Sequence, residues 1–382
     1  MKVLLKYLAL LLAFMMIFTV CSCTLYGGDT TWVYEIDGEK IPAGVYLYYQ
    51  QVAYGLAEQK IAEETAAASS QDGSESSAAS SSVPFADKTI EGIPSAEWLQ
   101  NEVLNLCKRY VTVQKEFTAL GLSVSEAELK NTRDTAAKNY ETNEAQIKVY
   151  STFGIGLESF KNVSLSDVYS TTLFSKYFGA GGEYEVPEDE LKAYYAENYA
   201  AAVIYTVPVS EDTDLKILDV NLDKLIDNLN STPDGFSAAI MEFESTVPEE
   251  LRSDYTSGLS EDTFTALIDK SNSNSSVPAL VSNAVWETEG YGKYVRINVS
   301  DTQIYIVARR DVLADSLSVY FAIYGSSLLY EFKSEDYAAA LDEKGAGLSV
   351  TENSKALRRY SLGQMEKNIA AVNSAYAANY AY

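Results

Sequence analysis

A chain of 382 residues is long enough for two domains with ample core, and its formal charge of −25 at pH 7 excludes a basic surface for nucleic acid or anionic lipid. There is no histidine, which removes the commonest general base, the Ser–His and Cys–His nucleophiles and most zinc sites. Tyrosine is the opposite excess, with 29 copies; it joins apolar area to a polar tip and suits both cores and adaptable binding surfaces.

Lys2 and Lys6 open the chain, and an unbroken apolar run follows from Tyr7 to Val20. A basic start, an apolar middle of this length and small residues at the cut predict a secretory signal over residues 1–22. The run is shorter than the ~20 residues a spanning helix needs. Val20-Cys21-Ser22-Cys23 resembles the bacterial lipoprotein box, with Cys21 a departure at a permissive position. That resemblance implies lipidation of Cys23, and a diacylated cysteine supplies the two chains that stable anchoring needs. Cleavage removes the positive Lys2 and Lys6 and takes the charge from −25 to about −27. The membrane is therefore reached through the lipid on Cys23, on its extracytoplasmic face. With Cys23 blocked, Cys107 is the sole free thiol. No internal disulfide is possible, and the helical pattern around Cys107 predicts a small buried apolar residue.

After a tether over 23–31, Trp32–Ile36 reads as a strand, Asp37-Gly38 as a tight turn and Glu39–Ile41 as a return strand. Pro42 suits the first turn of a helix with Val45, Tyr48, Tyr49, Val52 and Leu56 at helical spacing. From Ser69 to Ser82 eight of fourteen residues are serine, which leaves too little apolar area to fold and predicts a disordered insertion between two helices of one domain. Ser95 is placed to cap the next helix, whose stripe runs Leu99, Val103, Leu106, Tyr110, Val113, Phe117, Leu120 and which Gly121 ends. Ser125 and Glu128 form a capping box for a more polar helix reaching Ser151. Gly154 and Gly156 break it. A helix with the apolar face Leu165, Val168, Tyr169, Leu173, Phe174, Tyr177 and Phe178 then runs to the stop at Gly179-Ala-Gly-Gly182. Pro187 to Tyr199 is a short helix with acids in its first turn, where they suit the dipole.

The period then changes. Ala202–Val207 reads as a strand, Leu222, Leu225, Ile226 and Leu229 mark a helix, and Phe236–Phe243 is another. Residues 245–278 read as polar loop. Tyr294–Val299 and Gln303–Ala308 are strands around a turn at Ser300-Asp301. Helix returns from Leu317 to Leu341, Leu348–Val350 is a short strand, and the tail is helical and then frayed to Tyr382. This order makes the fold class α+β, without internal repeats.

Three tempting motifs fail. Asp219-Val-Asn-Leu-Asp223 starts like a calcium loop, but Lys224 stands where glycine is needed and Asn230 where a glutamate closes the site, so the stretch is better read as helix. Gly179-Ala-Gly-Gly182 lacks the Lys-Ser/Thr of a phosphate loop. Arg309-Arg310 and Arg358-Arg359 read as solvated or ion-paired. No metal site and no cofactor is expected.

The order of parts resembles a family. A lipoprotein box, the strand-turn-strand Val33-Tyr-Glu-Ile-Asp-Gly-Glu-Lys-Ile41, helices of the type Ala119-Leu-Gly-Leu-Ser-Val-Ser-Glu-Ala-Glu-Leu129, and Tyr184-Glu-Val-Pro-Glu-Asp-Glu-Leu-Lys-Ala-Tyr-Tyr195 ahead of an α+β module are similar to extracytoplasmic foldase lipoproteins and periplasmic chaperones of the parvulin class, the PrsA/SurA type. The resemblance spans most of residues 32–350 and rests on order and texture. It implies a mainly helical chaperone lobe built from both chain ends, residues 32–185 and 316–364, with a parvulin-like domain inserted over 186–315 and a tail over 365–382. Parvulins usually carry one histidine on their first strand and one on their last. Those positions are held here by Ile204 and Tyr305, and Trp286 lies where a proline-pocket aromatic would be. The parvulin-like domain is therefore expected to be catalytically degenerate.

The reading is a lipid-anchored, extracytoplasmic chaperone that holds unfolded secreted polypeptides, with Tyr46, Tyr48, Tyr49, Trp98, Tyr169 and Trp286 as candidate peptide contacts. Nucleic acid is not an expected partner, and oligomeric state is left open. The alternatives are an active peptidyl-prolyl isomerase using Tyr305, a substrate-binding lipoprotein of a transporter, which the all-helical first half argues against, and a surface protein of purely structural role.

Overall fold

The structure is a computed structural model that describes residues 31–71, 84–142, 144–232, 235–252, 259–270 and 277–380. The expected leader, the lipidation site Cys23, the tether and the serine-rich stretch beyond Gln71 lie outside the described residues. The chain divides into two compact units, one of residues up to Tyr184 with Ser334–Tyr382, the other of Glu185–Lys333.

In the first unit, strands β1 (Trp32–Ile36) and β2 (Glu39–Pro42) form a hairpin. Its two-residue turn needs positive φ twice, and Asp37 at 51° and Gly38 at 88° supply it. A third strand, β3 (Val350–Glu352), pairs antiparallel with the free edge of β1, Ile36 opposite Val350. Two ends of the chain are thereby sewn into one sheet. Asn353 reinforces the seam: its amide donates to the Trp32 carbonyl at 2.9 Å while its side-chain oxygen caps the next helix at Ala356 N. Gln50, buried, donates to the Tyr360 carbonyl at 3.0 Å. The main core accordingly mixes Val33, Tyr34 and Ile41 with Val103 and Cys107 and with Ala356 and Met365.

Three long helices cover this sheet: α1 (Ala43–Gln71), α2 (Ser95–Ala119) and α5 (Leu157–Phe178), with α3 (Glu126–Glu141) and α4 (Glu144–Phe153) between the last two. The single polar helix expected to reach Ser151 is thus two helices. The Ser125–Glu128 cap is present, with Glu128 N donating to Ser125 Oγ at 3.2 Å. Ser95 does not cap α2: Pro94 holds that position, and the buried Ser95 hydroxyl donates to the Phe85 carbonyl instead. Pro42 ends β2 rather than opening α1. Cys107 is fully buried, and burial pushes its thiol pKa up.

The second unit is built on a four-stranded antiparallel sheet of β4 (Tyr199–Thr206), β5 (Thr265–Asp269), β6 (Tyr294–Ser300) and β7 (Gln303–Arg310), in the order β5-β4-β7-β6. Helices α7 (Leu215–Ser231) and α8 (Phe236–Glu244) pack on one face, α9 (Ala279–Glu287) on the other, and α6 (Glu188–Asn198) precedes β4. The α+β class expected from the sequence is the one observed. Residues 245–278 are not simply loop, because β5 lies among them. It is a five-residue edge strand with one fully buried side chain, Ile268, so its alternation is too weak to read in advance. Asp219–Asp223 lies within α7, and Asp219 ion-pairs with Arg296 at 2.7 Å.

Helix α10 (Ser318–Gly345) belongs to the second unit through Lys333 and to the first from Ser334. That division falls later than the residue-316 boundary expected from sequence, because Leu317, Tyr320, Phe321 and Leu328 pack with Tyr195 and Ala201 of the second unit. Helices α11 (Ser354–Arg359) and α12 (Leu362–Tyr380) close the chain. No helix of the described residues is long and apolar enough to cross a membrane.

Candidate peptide-binding site

Side chains alternate across a strand, so β4 sends Val203 and Tyr205 toward α7 and α8, and Ala200, Ala202 and Ile204 toward α9. β7 lies beside it with Ile204 opposite Val307 and Thr206 opposite Tyr305, and β6 places Ile297 opposite Tyr305. The face toward α9 therefore gathers Ile204, Tyr305, Ile297, Val299 and Trp286, all partly buried, around the fully buried Val281, Val285 and Val307. The two positions matched to histidines and the aromatic matched to a proline pocket share one apolar cluster, although they are spread over a hundred residues of sequence.

Cations edge this cluster. The Arg309 guanidinium lies 5.6 Å from the Trp286 ring centroid and 5.7 Å from that of Tyr291, and the Lys270 ammonium is 5.8 Å from Trp286. These contacts fix the indole plane. Trp286 Nε1 is buried with no acceptor among the described residues, and a donor left so costs about 1–3 kcal/mol. The named side chains of the cluster carry no carboxylate, thiol or imidazole. Its chemistry is that of shape and apolar area, with one unspent N–H.

The first unit holds a second aromatic surface. Tyr48 meets Tyr49 edge-on at 5.7 Å and Phe160 at 6.4 Å, Tyr49 meets Tyr110 at 6.1 Å, and Tyr169 packs on Phe117 at 4.7 Å. The four tyrosines 48, 49, 110 and 169 are half-buried on α1, α2 and α5. Asp167 of α5 is exposed beside them; desolvation raises its carboxyl from the ordinary 3.8 to about 6. Burial first, and the Asp167 charge after it, raises the pKa of Tyr48; burial, Cys107 and then Asp167 raise that of Tyr49. The tyrosines expected at positions 48, 49 and 169 are thus surface-accessible. Tyr46 and Trp98 are not, at 4% and 9% exposure. Tyr46 packs edge-on against Tyr34, and the Trp98 indole bonds to Glu91, so both are core residues with no face for an incoming chain. Tyr110 was legible only as a stripe residue and Asp167 not at all; an acid set inside the Leu165–Val168–Tyr169 stripe was the available signal for the second.

No family model matches the sequence, and no curated protein matches it. Among solved structures the chain is similar to the foldase protein PrsA from Lactococcus lactis, at 12% identity and a TM-score of 0.35, over 87% of this chain and 99% of that one. It is also similar to the foldase protein PrsA from Streptococcus pneumoniae, at 15% identity and a TM-score of 0.32, over 70% of this chain and 90% of that one. Likeness at this level carries no argument about activity.

Proposed function

We propose that the protein is a lipid-anchored, extracytoplasmic chaperone of foldase type that holds apolar segments of unfolded secreted polypeptides, and that its parvulin-like domain binds without efficient catalysis. The observation that carries this reading is the cluster on β4, β7, β6 and α9. Where an isomerase of the resembled class has two histidines, Ile204 and Tyr305 stand against Ile297, Val299 and Trp286. A partly exposed apolar cluster with an aromatic ring, and an indole N–H that has no acceptor among the described residues, suits an aliphatic or proline side chain with its backbone carbonyl. Burying about 150 Å² of apolar surface there is worth about 4 kcal/mol at ~25 cal/mol per Å², before ordering costs. That is the weak, reversible hold a chaperone needs.

Exposed apolar side chains support the same reading. Ile217 and Val220, three apart on α7, and Val319 and Ile323, four apart on α10, are each more than half exposed, so each pair offers apolar area on one helix face. Anchoring rests on the leader and Cys23, read from sequence.

The test is a paired assay on the purified chain: suppression of aggregation of an unrelated unfolded protein, and cis–trans exchange in a short Xaa-Pro peptide. Suppression without faster exchange supports the proposal. Fast exchange would replace it with an active isomerase working through Tyr305, and absence of both would sink it. Metabolic labelling with palmitate, lost in Cys23→Ala, tests the anchor separately.

A further inference from the structure

The second unit has a cavity away from the cluster on α9. It measures about 240 Å³ and is lined by Tyr195 of α6, Tyr199 of β4, Asp269 of β5, and Tyr324 and Glu331 of α10, with Leu267 and Leu328 as its apolar wall. Known drug-sized sites begin near ~300 Å³, so this space takes one side-chain-sized group. The Tyr199 hydroxyl donates to Glu331 at 2.7 Å, as does that of Tyr194, which holds the carboxylate in place.

The telling residue is Tyr195. It is 0% exposed, its hydroxyl has no hydrogen-bond partner among the described residues, and it is one of the residues that line the cavity. Burial raises its pKa to about 12, with Tyr324, itself a lining residue, and then Tyr320 adding to the rise. A cavity whose lining brings together two carboxylates, several aromatic rings and a buried hydroxyl with no partner among the described residues is a polar site suited to a ligand. The nearby lysines serve elsewhere: Lys192 pairs with Glu188 at 2.6 Å and Lys333 with Glu190 at 3.4 Å.

We propose that this cavity binds a cationic group on a short apolar stem, of the ammonium or guanidinium class found on lysine and arginine side chains. Glu331 and Asp269 supply charge, Tyr195 and Tyr199 supply oxygens and ring faces, and Leu267 and Leu328 take the methylenes. The site is independent of the apolar cluster on α9 and of the chaperone reading.

The experiment titrates n-butylguanidinium, its neutral isostere N-butylurea, and the peptide acetyl-Ala-Arg-Ala-amide into the full chain by calorimetry, at low and high salt. Saturable binding of the guanidinium, weakened by salt and absent for the urea, is expected. Glu331→Gln should weaken it about tenfold, and Asp269→Asn is the second charge variant. Tyr195→Phe should weaken it about threefold with unchanged circular dichroism. Trp286→Ala should leave it unchanged, which separates this site from the other. Tighter binding of the peptide identifies a basic side chain of a polypeptide as the occupant; tighter binding of the free guanidinium identifies a small soluble cation. Equal binding of the urea, an unaffected Glu331→Gln variant, or no saturable binding overturns the proposal.

Discussion

Replacing Asp167 by asparagine should stabilise the protein at neutral pH and do little in acid. Desolvation beside Tyr48 and Tyr49 raises the Asp167 carboxyl from 3.8 to about 6. A folded-state pKa above the unfolded one means that folding disfavours the charged form. The associated stability is fully present below pH ~3.8 and is lost as pH rises through about 6. At 1.36 kcal/mol for each tenfold change in proton affinity, the ceiling is about 3 kcal/mol. The side chain is exposed, and solvent screening reduces the expectation to about 1 kcal/mol. Asp167→Asn keeps the shape and removes the charge, so it should gain about 1 kcal/mol at pH 7 and nothing resolvable at pH 4. Urea unfolding of both proteins at both pH values measures this. Equal effects at the two pH values, or a loss at pH 7, would refute the electrostatic account and leave Asp167 as an ordinary surface residue.

Three further outcomes follow from packing. Gly44→Ala would place a Cβ 2.3 Å from Ser159 Oγ and 2.6 Å from its Cβ, so a substitution that favours a helix by about 1 kcal/mol should instead destabilise by about 1–3 kcal/mol; adding Ser159→Gly should restore part of the loss in thermal unfolding. Tyr205→Phe removes a 2.6 Å hydrogen bond to the buried Glu244 carboxylate and should cost about 2–3 kcal/mol by urea unfolding, with an unchanged midpoint counting against that bond. Cys107 is fully buried with a raised pKa, so a thiol reagent should label it only on unfolding, and rapid labelling of the native protein would contradict the packing described.

What the sequence determined by itself is local. The Asp37-Gly38 turn, the Ser125–Glu128 cap and the α+β class follow from chemistry acting within a few residues, and each is present; the helices behind the apolar stripes form too, but Val52, Leu56 and Leu120 at the stripe ends are exposed, because no neighbour covers them. The burial of Cys107 was equally legible, since an apolar stripe implies something to pack on. The tertiary structure alone decided what depends on distant partners. Val350–Glu352 is strand because β1 offers it an edge more than three hundred residues away, and Thr265–Asp269 is strand because β4 lies beside it. Which tyrosines face solvent had the same origin: Tyr46 and Tyr48 share a helix, and only the position of Tyr34 and the sheet buries the first. Ile204, Tyr305 and Trp286 were legible as positions, but strand register and α9 bring them into one cluster. The cavity at Tyr195 had no trace in the sequence at all, because a hydroxyl lacks a partner only once every neighbour has taken its place.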